Sequence, residues 1–270
     1  MNILVILFSI LVVLSGNVYV DWHVYRIIPL PVSLKVVIVV LMVLSFLSLL
    51  VSVSRYIDSL PHFLATAIYE VGTSWIFILL YLSMSFLLLD LGRLVHVVPK
   101  SFLFDSWCGT GVVLAVMLSV FIYGNMHYKN KIRRSLSFTT TKVAAPVKIV
   151  VMSDLHIGYH NTRVDLSEWI DKINAENPDF VILVGDVIDR SVVPIDRQNM
   201  AEEFHRIKAP VYACLGNHEY YSGCREAVDF YSRAGINLLR DSAATFGNIA
   251  IIGRDDRTNS FYCCPIKVFD

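Results

Sequence analysis

Three short clusters of polar residues could do chemistry, and each stands directly after an apolar run. "SDLH" supplies Asp154 and His156, "GDVID" supplies Asp186 and Asp189, and "GNHE" supplies Asn217, His218 and Glu219. The residue types are those of a metal site. In an extended segment residues two apart face the same side, so Asp154 and His156 can address one ion. A carboxylate such as Asp186 can bridge two cations, and Asn217 can offer a carbonyl oxygen without adding charge. Gly185 and Gly216 precede two of these residues and permit tight turns close to the site. Any one cluster is weak, since a DxH triplet occurs by chance and a GN pair is commonly a turn. Their order and equivalent placement point to a shared metal centre.

The elements that must position them read as alternating strands and helices. Val147 to Asp154, Phe180 to Asp186 and Val211 to Asn217 are expected to be buried strands. Leu166, Trp169, Ile170 and Ile173 recur at helical spacing, with Asp165 as N-cap and Glu168 three residues later. A second helix is expected through Met200, Phe204 and Ile207, and a third over Cys224 to Ala234, ended by Gly235. Short strands follow at "INLL" and "NIAIIG". This βαβαβ order implies a largely parallel sheet covered by helices, with the site on loops at the carboxyl ends of its strands.

The DxH, GDxxD and GNHE blocks together resemble the calcineurin-like metallophosphoesterases, over about Val147 to Asn259. "GRDD" (Gly253 to Asp256) is similar to the segment that follows the fourth block in membrane-anchored bacterial members. The resemblance implies an αββα sandwich and a two-metal hydrolase acting on a phosphomonoester, phosphodiester or pyrophosphate through hydroxide activated by both ions. It implies that Asp154 and His156 hold the first ion, that Asp186 bridges, and that Asn217 binds the second. His218 would protonate the leaving oxygen or stabilise the transition state, while Asp189 and Glu219 orient ligands. Asp255 and Asp256 read as turn or salt-bridge residues. Mixed oxygen and nitrogen ligands suit Mn²⁺, Fe or Zn²⁺ better than Ca²⁺, with Mn²⁺ the first expectation.

The pattern then departs from the family, whose members carry a further His in a SHxP-like segment and two in a GHxH block. This sequence has no histidine after His218. The second ion keeps only Asp186 and Asn217, and the second sheet of the sandwich is incomplete. The segment "SFYCCPIKVFD" fits neither strand nor helix, and the domain reads as truncated or frameshifted there. The alternative to an enzyme is therefore a catalytically impaired or inactive membrane protein that carries a truncated metallophosphoesterase domain.

The residues before this domain are of another kind. The chain has 270 residues, 55% hydrophobic, with a formal net charge of zero, too apolar for an ordinary soluble protein. The excess lies before Asn125. Ile3 to Val20, Val36 to Val53, Ala67 to Leu89 and Gly109 to Tyr123 approach the roughly 20 apolar residues that cross a bilayer. The expected organisation is a helical transmembrane domain over 1–125, a basic juxtamembrane linker over 126–146 and the α/β phosphoesterase domain over 147–270. The basic run "YKNKIRR" after the fourth span places both termini in the cytoplasm. The expected location is the cell inner (cytoplasmic) membrane, multi-pass, with the catalytic domain cytoplasmic. Glu70, acidic and near membrane depth, reads as an interfacial residue. The expected partners are the lipid bilayer and a phosphate-ester substrate, for which a lipid-linked ester fits the tether. The soluble half is charge-balanced and lacks a basic stripe, so no nucleic-acid partner is expected.

Overall fold

A computed structural model describes residues 3–143 and 145–258. The chain divides into two compact units. The first holds Met1–Ile57 and Ala67–Leu136, and the second holds Asp58–Thr66 with the chain from Ser137 onward. The C-terminal segment read above as a departure from the family lies outside the described residues.

The first unit is built from α1 (Ile3–Ile27), α2 (Val32–Val53), α3 (His62–Leu94), the single turn α4 (Lys100–Leu103) and α5 (Trp107–Lys129). Four of these helices are long and apolar enough to cross a membrane, and each outruns its expected span. Val20, Met42, Phe46, Trp75, Leu79, Phe86, Val113 and Met117 form a common core. Leu11, Val40, Leu80, Leu87 and Leu118 remain exposed on the outside, as lipid-facing residues do. The longer helices also take in Asp21 and Asp90, which fell just past the expected span ends. Asn17 donates to Asp21 at 2.9 Å and accepts from the Trp75 indole at 3.1 Å, while Tyr19 donates to Asp90 at 2.8 Å. Such bonds offset part of the cost of polar groups at this depth.

In the second unit β1 (Ile149–Met152), β2 (Phe180–Val184), β3 (Val211–Cys214) and β4 (Asn237–Leu238) form a parallel sheet in that order. Their crossovers are α6 (Arg163–Ala175), the short helices α7 (Val193–Arg197) and α8 (Ala201–Phe204), and α9 (Asn217–Arg233). Leu166, Trp169, Ile170 and Ile173 of α6 pack with Val181, Leu183 and Ala213 of the sheet and Phe204 and Phe230 of the helices. β5 (Ser242–Phe246) and β6 (Ile249–Gly253) pair antiparallel as a separate two-stranded sheet. Phe180, Tyr212, Leu239 and Ile251 form a second core that Phe246 joins.

Several expectations are corrected. The cap of α6 is Thr162, and Asp165 at the third helical position reaches back to it, accepting from the Thr162 backbone N–H and hydroxyl, both at 2.8 Å. The helix expected through Ile207 is two short ones. α9 begins seven residues earlier than expected and is kinked at Gly223, whose φ is 106°. β1 is not buried on both faces, for Ile149 and Val151 stay 41% and 60% exposed. β5 was not anticipated, because "SAATF" has no apolar alternation and owes its extension to pairing with β6.

Candidate metal centre

The loops after β1 and β2 run side by side past the ends of the strands. His156 N donates to Asp186 O at 3.0 Å, Ile157 N to Val187 O at 2.8 Å, and Asp189 N back to Ile157 O at 3.1 Å. Asp154, His156 and Asp186 all have positive φ, between 42° and 54°. Non-glycine residues visit that region rarely, and such strain concentrates at functional sites. Gly185, with φ of 68°, is a requirement of close approach, since a Cβ there would lie 2.9 Å from the backbone of Gly216.

These turns bring the candidate side chains together. His156, Asp186 and His218 each offer a ligand atom, all within 4.8 Å of one another, and they are the group of this kind among the described residues. The two imidazole rings meet edge to face, with centroids 4.4 Å apart. The Asp154 carboxylate lies 3.9 Å from His156 Nε2 and is mostly exposed. The Asp189 carboxylate lies 3.6 Å from His156 Nδ1 and 3.8 Å from His218 Nδ1. Asn217 opens α9 directly after Gly216. The tight group thus contains two of the four expected ligands, His156 and Asp186, together with the expected acid, His218.

His218 is held at two points. Its backbone N–H donates to Asp186 Oδ1 at 2.9 Å, and its ring Nδ1 meets the carbonyl oxygen of Asp189 at hydrogen-bond distance. A carbonyl only accepts, so Nδ1 carries the hydrogen and Nε2 is the acceptor nitrogen of the neutral ring.

Beneath the group, the fully buried Glu219 ties the loops after β2 and β3 together. Its carboxylate accepts from Asp186 N at 3.0 Å, Val187 N at 2.7 Å, Ile188 N at 3.0 Å and Gly216 N at 2.7 Å. Tyr231 OH adds a fifth bond at 3.2 Å. Burial, and then the negative charge of Glu219, push the Tyr231 phenol well above its ordinary value. A buried carboxylate costs several kcal/mol unless its lone pairs are met, and here they are met. Glu219 therefore holds the loops after β2 and β3 in register.

The donor set fits a divalent cation. Imidazole nitrogen and carboxylate oxygen are the ligands that first-row metals and zinc accept. His156 Nδ1 is buried without a hydrogen-bond partner, a condition that proteins avoid except where a ligand or function answers it.

Comparison with known proteins agrees with this geometry. Residues 147–269 match the family model described as calcineurin-like phosphoesterase. The chain carries a calcineurin-like metallophosphoesterase domain. An uncharacterized metallophosphoesterase of Aquifex aeolicus is 29% identical over 53% of this chain and 55% of its own length. A zebrafish (Danio rerio) protein named transmembrane protein with metallophosphoesterase domain is 24% identical over 77% of this chain and 48% of its own. UDP-2,3-diacylglucosamine pyrophosphatase LpxG of Chlamydia trachomatis is 28% identical over 40% of this chain and 34% of its own. The chain spans about half the length, or less, of the curated relatives it matches. No solved structure gives a significant match.

Away from the candidate metal centre of the metallophosphoesterase domain, Asp255 proves to be a salt-bridge residue. It pairs with Arg240 at 2.7 Å, with both side chains almost fully buried, and it accepts from Tyr220 OH. Sequence reasoning missed Tyr231 as a partner of Glu219, and Tyr220 and Arg240 as partners of Asp255, because a lone tyrosine or arginine carries no spacing signal.

Proposed function

We propose that this protein is a membrane-anchored, metal-dependent phosphoesterase. The convergence of His156, Asp186 and His218 at the carboxyl ends of β1, β2 and β3 carries the reading. Asp154, His156, Asp186 and Asn217 would hold two divalent cations, with Mn²⁺ first and Fe or Zn²⁺ as alternatives. Such a pair lowers the pKa of water and clamps the attacking and leaving oxygens of an in-line displacement at phosphorus. The chain's own contribution is positional. His218, with Nδ1–H fixed on the Asp189 carbonyl, presents Nε2 to protonate the leaving oxygen. Glu219 keeps the loops that bear Asp186 and His218 in register.

Residues 1–125 form the membrane domain in this reading, 126–146 a basic linker and 147–270 the phosphoesterase domain. The helices that could cross a membrane, and relatives whose names join a transmembrane protein to this domain, support a multi-pass protein. The inner membrane and a cytoplasmic catalytic domain complete the proposal. The substrate is a phosphomonoester, phosphodiester or pyrophosphate. The relative named for a diacylated nucleotide sugar supports a lipid-linked one.

The test is Mn²⁺-dependent hydrolysis of a chromogenic phosphodiester by the purified full chain, lost in Asp186→Ala. Folded protein that hydrolyses none of a phosphomonoester, a phosphodiester and a pyrophosphate overturns the reading.

A further inference from the structure

We propose that residues 58–62, the turn between α2 and α3, are a docking segment of the phosphoesterase unit and fix that unit to the side of the membrane where the turn emerges. The inference rests on reading α2, α3 and α5 as membrane spans. It does not rest on catalysis.

Three kinds of contact converge on these few residues. The Asp58 carboxylate accepts from Tyr159 OH at 2.9 Å and lies 3.8 Å from the Arg190 guanidinium. Arg197 donates from its two terminal nitrogens to the carbonyl oxygens of Leu60 and Asp58, at 2.8 and 2.7 Å. The His62 ring stacks over Tyr159 with centroids 6.1 Å apart. The side chains of Asp58 and Arg190 are 17% and 18% exposed, and Tyr159 is 1% exposed. A hydrogen-bonded carboxylate withdrawn from water in this way is worth more than a surface pair.

The receiving residues belong to the loops of the metal centre. Tyr159 lies three residues after His156, and Arg190 follows Asp189, whose carbonyl holds His218. The turn thus braces the same two loops that carry the candidate ligands. The connectivity agrees with this placement. Two long apolar helices, α3 and α5, separate the turn from Ser137, so a chain that crosses twice returns to the face it left. α2 ends at Val53 and α3 begins at His62, which leaves the turn outside the hydrocarbon.

Two measurements on the full chain test the proposal without any enzyme assay. The first uses a membrane-impermeant maleimide on sealed vesicles carrying Ser59→Cys, Lys208→Cys or Val97→Cys, each compared with the unsubstituted chain. All three positions are exposed. Ser59→Cys and Lys208→Cys should label from one side and Val97→Cys from the other. Labelling of Ser59→Cys from the side that reaches Val97→Cys overturns the inference. The second is a double-mutant cycle of Asp58→Ala and Tyr159→Phe on the unfolding midpoint of the phosphoesterase unit. Tyr159→Phe should lower the midpoint in the parent by several times its effect in Asp58→Ala. Equal effects in both backgrounds overturn the docking contact. A chain that passes both tests and hydrolyses nothing sinks the phosphoesterase reading alone.

Discussion

The Glu219 carboxylate accepts a hydrogen bond from the backbone N–H of Asp186 at 3.0 Å, so the loop after β2 is hung on the first turn of α9. Two further N–H groups of that loop and the N–H of Gly216 share the same carboxylate.

Glu219→Ala should destabilise the domain by about 3–5 kcal/mol, because it strips four backbone donors, two of them buried, of their acceptor at once. Glu219→Gln should cost less, about 1–3 kcal/mol, since the amide keeps one oxygen and turns an NH₂ toward donors. Denaturant unfolding of the detergent-purified chain measures both. A loss under 1 kcal/mol for the alanine variant contradicts the role given to Glu219.

Gly216 sits where a side chain cannot. A Cβ there would fall on Asp186 Oδ1 and come within 2.7 Å of Asp186 N. Gly216→Ala should therefore displace the Asp186 carboxylate and lower metal-dependent turnover by about 100-fold, the scale of a misplacement near 1 Å at a reacting centre. Unchanged turnover would show that the loop gives way freely.

Much of this arrangement was legible in the sequence, for reasons that differ by residue. His156, Asp186 and His218 could be read as neighbours because a parallel sheet places every strand end on one edge. Type and order after an apolar run were then enough. The four apolar helices were legible from length alone. Their ends were not, since Asp21 and Asp90 look like loop residues until Asn17 and Tyr19 are seen to donate to them. Support residues were hidden for a related reason. Tyr231 reaches Glu219 from twelve residues along α9, and Arg240, just before β5, reaches Asp255, just after β6. Such partners are set by tertiary packing, which periodicity does not encode. β5 lacked a signal because its extension comes from β6, and the turn at Asp58 because its partners lie about a hundred residues downstream.

Acid stability should report on Glu203. Hydrogen bonds from Arg206, then Arg163, hold its carboxyl below the usual value of 4.5 against the opposing effect of burial. A depressed folded-state pKa gives stability that is full above the unfolded value and is lost as pH falls through the folded one. The domain should therefore lose stability as pH drops below about 4.5. Glu203→Gln should lower the midpoint at pH 7 and flatten the acid limb. An acid limb of unchanged slope in that variant would assign the loss to other carboxylates.

The role of His218 separates from that of Asp186 in a metal titration. An ion bound only by the folded chain stabilises it by about 2.7 kcal/mol at a hundredfold excess over its Kd, so Mn²⁺ should raise the unfolding midpoint of the parent. Asp186→Asn should abolish the rise, because it removes the carboxylate on which the site depends. His218→Gln should keep most of the rise while turnover falls by about 10²–10⁴-fold, as the loss of a general acid requires. If His218→Gln loses the rise together with the activity, His218 is a ligand of the His156, Asp186 and His218 group rather than the acid, and protonation of the leaving oxygen must be assigned elsewhere.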